Sequence, residues 1–209
     1  MEILQELLNR LYDVESLIRW GGVAMICAII FAETGLMVGF FLPGDSLLVT
    51  AGVFAAAGHF DLYSMLILVS LCAVVGDQLG YLIGQKTGPA LFTKEDSLLF
   101  KRSHVLRAQA FYEKYGAKTI VIARFVPVVR TFAPVVAGVG QMQYRRFVTY
   151  NVAGGILWVV SMVLTGFLVG TAVPNVNAHI HYVIAAVIFL SVLPAIVEVM
   201  RARRNKSKS

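Results

Sequence analysis

Five ionisable residues lie inside segments that are otherwise apolar enough to enter a membrane: Glu33, Asp45, Asp77, Arg124 and Arg130. Insertion scales put the cost of a charge at the bilayer centre at about 2.5 to 3.5 kcal/mol, so such residues normally face a protein interior or an aqueous path. An arginine keeps its charge and binds phosphate or carboxylate through two parallel hydrogen bonds. Together with nearby helix N-termini, Arg124 and Arg130 predict a receptor for an anionic lipid head group.

The three acids suit a second task, because the protonation of a buried carboxyl responds to small changes in its surroundings. Glu33 and Asp45 are therefore predicted to carry protons, with Asp77 as a third candidate. Structural pairing is the alternative for each acid. Glu33 could pair with Arg124, and Asp77, in the glycine-rich stretch "GDQLGYLIG", could bond a helix amide and fix only the helix register.

The composition is that of a membrane protein. The chain has 209 residues, 58% hydrophobic and 14% charged, whereas soluble domains average about 45–50% apolar and about 25% charged residues. Apolar runs of roughly 20 residues, enough to cross a hydrocarbon core of about 30 Å, recur along the chain and leave no room for a soluble domain. We predict one all-α polytopic membrane domain over residues 1–209, without a cleaved signal peptide at its N-terminus.

Apolar and charged patterns divide this domain into consecutive segments. Two of them are apolar but interrupted by glycine and proline. The predicted segments are an amphipathic interfacial helix 1–19, a helix with a first broken segment 20–57, a transmembrane helix 62–84, a basic amphipathic loop 85–118, a second broken segment 120–142, transmembrane helices 147–171 and 179–200, and a basic tail 201–209.

The distribution of lysine and arginine predicts the topology, because these residues favour the cytoplasmic side. They crowd the 85–118 loop, the Arg145–Arg146 pair and the tail, whereas the joints near residues 60 and 176 contain none. If 120–142 crossed the membrane, the loop would lie opposite the other two clusters. We therefore predict that this segment is re-entrant and that both termini are cytoplasmic. The turns are assigned to Pro43 and Gly44 in the first broken segment and to Pro127 and Pro134 in the second.

Two broken segments that open to opposite faces are typical of an inverted-repeat transporter with its site near the midplane. The stretches "LPGDSLLVTAG" and "VPVVRTFAPVVAG" are faintly similar, as such a repeat requires. Glycines at four-residue spacing favour close helix packing in a membrane. They are Gly76, Gly80 and Gly84 in one helix and Gly166 and Gly170 in another.

Other residue types point away from enzymes and cofactor proteins. Cys27 and Cys72 lie in apolar runs and are interpreted as small core residues, and Trp158 as an interface anchor or packing residue. We find no nucleophile arrangement and no nucleotide-binding loop, and among the histidines only the His179/His181 pair has metal-ligand spacing, which we do not interpret as a site. We therefore expect no metal, no cofactor, no enzymatic activity and no nucleic-acid partner.

The stretch "FYEKYGAKTIVIARFVPVVRTFAPVVAGVGQMQYRRFVTYNVAGGILW", with "ETGLMVGFFLPGDSLLVTAG" and "GDQLGYLIG", resembles the signature of the DedA family of bacterial inner-membrane proteins, which is related to VTT-domain proteins. The resemblance implies two opposed re-entrant segments, dependence on the proton motive force, and a role in moving lipid across the bilayer, notably undecaprenyl phosphate. The family's important acids match Glu33 and Asp45, and its important arginines match Arg124 and Arg130.

The expected function is thus the transport of an anionic lipid carrier, undecaprenyl phosphate, across the bacterial inner membrane with protons, in support of envelope biogenesis. The partners are an anionic polyprenyl phosphate or phospholipid, protons and the membrane. Two alternatives stay open: a proton-coupled antiporter of small cations or drugs, and a membrane scaffold that transports nothing. The oligomeric state is open between a monomer and a homo-oligomer.

Overall fold

The computed structural model describes residues 14–36, 44–93 and 115–172. Several predicted features lie wholly or mainly outside these residues and stay predictions. They are the amphipathic helix 1–19 up to residue 13, Pro43, the basic amphipathic loop from residue 94 to 114, the transmembrane helix 179–200 and the basic tail.

Every regular element in the described ranges is an α-helix, which confirms the all-α prediction. Two of the helices, over Leu62–Gly88 and Tyr144–Ala172, are long and apolar enough to cross a membrane, with mean hydropathies of 1.9 and 2.2. The helices are α1 (Val14–Gly35), α2 (Gly44–Ala56), α3 (Leu62–Thr93), α4 (Thr119–Ala123), α5 (Pro127–Val139) and α6 (Tyr144–Ala172).

The second broken segment contains one break, between α4 and α5. Val126 is extended, with φ −112° and ψ 106°, and Pro127 opens α5. A residue before proline is biased towards the extended region, and proline fits the first helical position because its missing N–H needs no partner there. The prediction that Pro134 is a second turning point is wrong. Pro134 lies inside α5, where it is buried and packs against Gly80 on α3, on the side where other residues carry a Cβ atom.

Helix α3 is longer than the hydropathy pattern predicts. It continues from the expected end at residue 84 to Thr93, so the first part of the predicted loop is helical. Hydropathy marks where a chain leaves the apolar layer, whereas a helix ends only where its backbone hydrogen bonds end. At the other end, the Asp61 carboxylate accepts a hydrogen bond from the Ser64 amide at 2.7 Å and caps the helix.

Helices α2 and α6 pack with their backbones in contact. A Cβ atom at Gly52 would overlap the Val163 carbonyl oxygen, and one at Gly166 would overlap the Val49 carbonyl oxygen. Only glycine permits this approach, and close backbone approach is how helices associate tightly within lipid. The packing role predicted for Gly166 is therefore confirmed, and Gly52 is its reciprocal partner on α2.

Helices α5 and α3 repeat this arrangement. Three contacts between α5 and α3 have equivalents between α2 and α6. In each, the α5 residue lies 86 positions after the equivalent α2 residue, and the α6 residue lies 82 positions after the equivalent α3 residue. Four of the described helices therefore form two pairs, α2 with α6 and α5 with α3, that pack in the same way. The equivalent contacts are Gly84–Val135 with Gly166–Val49, Tyr81–Gly138 with Val163–Gly52, and Gly88–Val139 with Gly170–Val53.

The buried apolar residues form two clusters. The larger one joins α1, α2, α3 and α6 around Ile30, Leu48, Met65 and Val159. The smaller one is built on Tyr81, which stacks on Phe147 at 4.4 Å between ring centroids and donates a hydrogen bond to the Met142 carbonyl at 2.5 Å. The outer faces of α3 and α6 expose large apolar side chains, as lipid contact requires. They include Tyr63, Ile67, Leu71, Ile156, Leu157 and Leu168.

Candidate functional site

The five ionisable residues singled out in the sequence meet where α1, α2, α3 and α5 approach α6. All of them except Asp45 line a cavity with a volume of about 10 Å³, roughly the space that one water molecule needs. Burial and ion pairing make this the most polar point in the described interior. The residues lining the cavity are Glu33, Thr34, Asp77, Arg124, Arg130, Thr131 and Trp158.

Arg130, in the first turn of α5, holds one carboxylate on each terminal nitrogen. Its Nη1 donates to Asp45 Oδ1, and its Nη2 donates to Glu33 Oε1 at 2.5 Å. The guanidinium carbon lies 4.8 Å from the centre of the Trp158 ring, within the range of a cation–π contact. Trp158 also donates from Nε1 to Asp45 Oδ1 at 3.0 Å. Arg130 thus joins α5 to α1, α2 and α6.

The start of α2 is shaped around these acids. A Cβ atom at Gly44 would overlap the Glu33 carboxylate, so glycine is the residue that leaves room for it. Asp45 follows in the first turn of α2, where a negative charge is favoured by the helix dipole. This helix N-terminus, which the sequence suggested as part of an anion receptor, is therefore occupied by the protein's own carboxylates.

Arg124 follows α4 directly and forms a second cluster. Its Nη2 donates to Asp77 Oδ2 on α3 and to Asn151 Oδ1 on α6. Asn151 in turn donates from Nδ2 to the Val74 carbonyl at 3.1 Å. The side chain of Arg124 lies against Gly154 and the glycine after it on α6, and only 4% of the residue is exposed. This cluster joins the α4–α5 break to both candidate spans.

Charge within the site is unequally distributed between the two clusters. Arg130 faces two carboxylates, whereas Arg124 faces one. With all five groups ionised, the Arg130 cluster carries one net negative charge and the Arg124 cluster is neutral. Glu33 Oε2 and Arg124 Nε are buried without a hydrogen-bond partner among the described residues. The net negative charge of the ionised site disfavours a further anion.

The sequence located these five residues but not their pairing. The pairing suggested for Glu33, with Arg124, is wrong, because Glu33 binds Arg130. The helix-amide contact suggested for Asp77 is also wrong, because Asp77 binds Arg124. The arginines, expected to be open to an anion, are both paired with carboxylates. Among the described residues, His, Cys, Asp and Glu form no group of three that could hold a metal ion.

Two further residues of the site were missed by sequence reasoning. Trp158 is 1% exposed, which confirms the packing alternative and excludes the interface anchor, but its hydrogen bond to Asp45 was not predicted. Asn151 is fully buried and is not among the residues predicted from the sequence. The only available signal was that Asn151 is a strongly polar residue inside a predicted span, where polar groups need a partner. The indole of Trp158 carries no such signal, since hydropathy treats it as apolar.

Replacing Trp158 with phenylalanine tests the indole hydrogen bond while keeping an aromatic ring beside Arg130. We expect the free energy of unfolding to fall by about 1.5 to 3 kcal/mol, the usual contribution of a hydrogen bond to a charged group. Denaturant unfolding of the purified protein in detergent measures the change. Leu157→Ala is the matched control. Leu157 lies next to Trp158 on α6 and is 52% exposed, so its truncation should change the free energy of unfolding little. Equal stability of Trp158→Phe and wild type would contradict the assignment.

The fold and the site together define a helical membrane protein with a buried ion-pair network. The VTT domain matches residues 42–168 of the chain. The chain is 45% identical over 188 residues to Protein DedA of Escherichia coli strain K12, which covers 89% of this chain and 85% of that protein. The chain belongs to the VTT-domain, or DedA, family of membrane proteins.

Two other relatives are membrane proteins by name. An uncharacterized membrane protein of Mycobacterium tuberculosis strain H37Rv is 46% identical over 189 residues, with 88% of this chain and 82% of that protein covered. Inner membrane protein YqjA of Escherichia coli K12 is 33% identical over 177 residues, with coverages of 81% and 80%. No solved structure gives a significant match to the chain.

Proposed function

We propose that this protein moves an anionic lipid phosphate, with undecaprenyl phosphate as the expected substrate, across the bacterial inner membrane together with protons. The observation that carries the proposal is the guanidinium of Arg130, whose side chain is 10% exposed and which is held at both terminal nitrogens by carboxylates that protonation can neutralise. Phosphate and carboxylate groups both bind a guanidinium through its N–H donors, so they compete for the same donors. A site that can exchange one for the other is suited to coupling protons to a phosphate group.

The exchange follows from the chemistry of the three side chains. While Glu33 and Asp45 are ionised, they satisfy Arg130 and exclude another anion. Protonation removes their charge but not that of Arg130, because a guanidinium stays charged. A buried, unpaired arginine is then costly, so a phosphate entering the site restores its partner. Release of the protons on the far side returns the carboxylates to Arg130 and expels the phosphate.

Protons also reduce the electrical work of moving the phosphate inward. With the cell interior negative, the inward movement of one negative charge is opposed by about 2.3 kcal/mol per 100 mV. Protons that accompany the phosphate offset that cost. The hydrocarbon tail stays in lipid throughout, so only the head group needs a polar path. We propose transport rather than catalysis.

The repeated packing of α2 on α6 and of α5 on α3 supports an inverted-repeat architecture. In this arrangement residues 20–57 and 120–142 are the two opposed re-entrant segments, and Asp45 and Arg130 meet between them. Such a site lies near the bilayer midplane in transporters of this kind. The basic residues at the start of α6, Arg145 and Arg146, are exposed and are proposed to face the cytoplasm, as are both termini.

A small cavity suits a closed stage of the transport cycle. About 10 Å³ holds no phosphate group, so the helices around Arg130 must separate before a head group enters. Helices α2 and α5 are each anchored to a long helix by glycine contacts. We therefore propose that each pair moves as a unit, with the site opening between the α2–α6 pair and the α5–α3 pair.

Proteoliposomes that contain the purified full-length protein test this function directly. Transfer of undecaprenyl phosphate between leaflets is followed with and without an imposed proton gradient, and undecaprenol, which lacks the phosphate, is the matched control lipid. We expect gradient-dependent transfer of the phosphate lipid only. Equal transfer of both lipids, or of neither, would refute the proposal. Gradient-driven efflux of a soluble cation from the same vesicles would favour the antiporter, and no transport of any kind would favour the scaffold.

A further inference from the structure

We infer that the lipid phosphate binds where the Asp45 carboxylate lies, on Nη1 of Arg130 and Nε1 of Trp158. Asp45 is then an internal competitor that leaves this position when the phosphate arrives. Glu33 stays on Nη2 of Arg130 and holds the guanidinium in place. The identity of the anion rests on the proposed function, whereas its position rests on the contacts of these four side chains.

Donors from two helices converge on the Asp45 carboxylate. Its Oδ1 atom accepts hydrogen bonds from Nη1 of Arg130 on α5 and from Nε1 of Trp158 on α6, at 3.0 Å. The guanidinium carbon also lies 4.8 Å from the centre of the Trp158 ring, so the two donors belong to groups in contact. An indole N–H can only donate, and a guanidinium keeps its charge. Two donors and one fixed positive charge around a single oxygen suit an oxygen of a phosphate group.

Exposure distinguishes the two acids that hold Arg130. The side chain of Asp45 is 23% exposed, whereas that of Glu33 is 2% exposed. The Glu33 carboxylate is enclosed beside Gly44, where a Cβ atom would overlap it. Asp45 is therefore the acid that can turn away from the guanidinium, and its edge of Arg130 is the one that an incoming head group reaches.

Helix packing separates the same two acids. Glu33 lies on α1, which packs closely against α3, because a Cβ atom at Gly35 would lie 3.1 Å from the Gly76 carbonyl oxygen. Helix α5, which carries Arg130, packs against α3 as well. Asp45 lies on α2, which packs against α6 instead. Opening between the α2–α6 pair and the α5–α3 pair therefore breaks the bond from Arg130 to Asp45 and keeps the bond to Glu33.

The remaining N–H groups of Arg130 do not offer an equivalent position. The side chain is 10% exposed, and the cavity beside it, of about 10 Å³, holds no phosphate group. A phosphate bound beside both ionised acids would also place three anions around one cation, which Coulomb repulsion disfavours. Asp77, the third acid of the site, is bound to Arg124 instead. Displacement of Asp45 gives the phosphate two donors without a carboxylate left on them.

Solid-state NMR locates the bound phosphate directly. The full-length protein is labelled with ¹⁵N-tryptophan, kept in a phosphorus-free maltoside detergent and frozen with a short-chain isoprenyl phosphate. We expect a ³¹P–¹⁵N dipolar coupling between the phosphate and the Trp158 indole, because a hydrogen bond joins them. The chain contains two tryptophans, so Trp20→Phe should keep this coupling and Trp158→Phe should lose it. Phosphate binding to folded wild type without the coupling would overturn the inference and leave an anion site in place.

Affinity separates displacement of Asp45 from a general effect of charge. Asp45→Asn and Glu33→Gln each remove one negative charge beside Arg130, and both are measured at one pH. We expect Asp45→Asn to bind the isoprenyl phosphate at least about tenfold more tightly than wild type, because hydrogen bonds to a neutral amide are weaker than those to a carboxylate. Glu33→Gln should not bind more tightly, since Glu33 is not displaced. Equal gains in the two variants, or no gain in Asp45→Asn, would overturn the inference.

Asp61→Asn is the matched control, because Asp61 is an exposed acid immediately before α3, and it should bind as wild type does. The corresponding isoprenol, which lacks the phosphate, should bind wild type and Asp45→Asn equally. Thermal unfolding without ligand checks that each variant retains the fold. If folded wild type binds the isoprenyl phosphate no better than the isoprenol, the proposed function itself is overturned, because the site then does not recognise a phosphate.

Discussion

Replacing Arg130 with glutamine is expected to reduce lipid translocation in proteoliposomes at least about 30-fold, since truncating one partner of a buried hydrogen-bonded charge pair costs 2–5 kcal/mol or more. The change removes the positive charge that binds the head group. It also leaves Glu33 and Asp45 facing each other without their shared cation. Leaflet-resolved transfer of undecaprenyl phosphate in the presence of a proton gradient measures the effect.

Lysine at position 130 separates charge from geometry. An ammonium group retains the charge but presents a single point of attachment, whereas the guanidinium holds Asp45 and Glu33 on separate nitrogens. We therefore expect Arg130→Lys to fold better than Arg130→Gln and to translocate lipid little better. Arg145→Gln removes an exposed arginine from the start of α6 and is the matched control. Wild-type transfer by folded Arg130→Gln would exclude this site from transport.

A second large effect is expected on stability, from the pair that Arg124 forms with Asp77. Arg124→Met or Asp77→Leu, made singly, should lower the free energy of unfolding by about 3 to 5 kcal/mol, because each leaves an unpaired charge in the interior. The double variant should regain much of this loss, since replacing a buried ion pair with apolar residues is often neutral. Denaturant unfolding of the purified variants in detergent gives the three values needed for a double-mutant cycle.

Arg146→Met is the control for this cycle, because Arg146 is an exposed arginine whose loss should change stability little. Losses below about 1 kcal/mol in both single variants would mean that the pair behaves like an exposed one and does not hold the fold. Additive losses in the double variant would mean that Arg124 and Asp77 act independently. Either result would contradict the role assigned to this cluster.

These two expectations give the arginines different tasks. Arg124 is neutralised by one acid and one amide on the two long helices, α3 and α6, and its contacts tie those helices to the break before α5. Arg130 is shared by two acids from the short helix α2 and from α1, so its partners can be exchanged. We propose that the Arg124 cluster stabilises the packing of α3 and α6 and that the Arg130 cluster binds the head group.

The sequence alone determined the class of protein, the family and the five ionisable residues of the site. Each of these has a local physical cause. Apolar runs decide that the chain enters a membrane, and the cost of a charge in lipid makes the five residues conspicuous against them. Glycines at four-residue spacing likewise predicted close helix packing, and Gly84 and Gly166 confirm it.

Only the tertiary structure decided which acid binds which arginine. Arg130 and Glu33 are separated by 97 positions in the chain, and Trp158 and Asp45 by 113, so no local pattern relates them. Their contacts depend on how α2 and α5 are anchored to the long helices. The same packing turns the predicted open receptor into a closed site, because it places the protein's own carboxylates against both arginines.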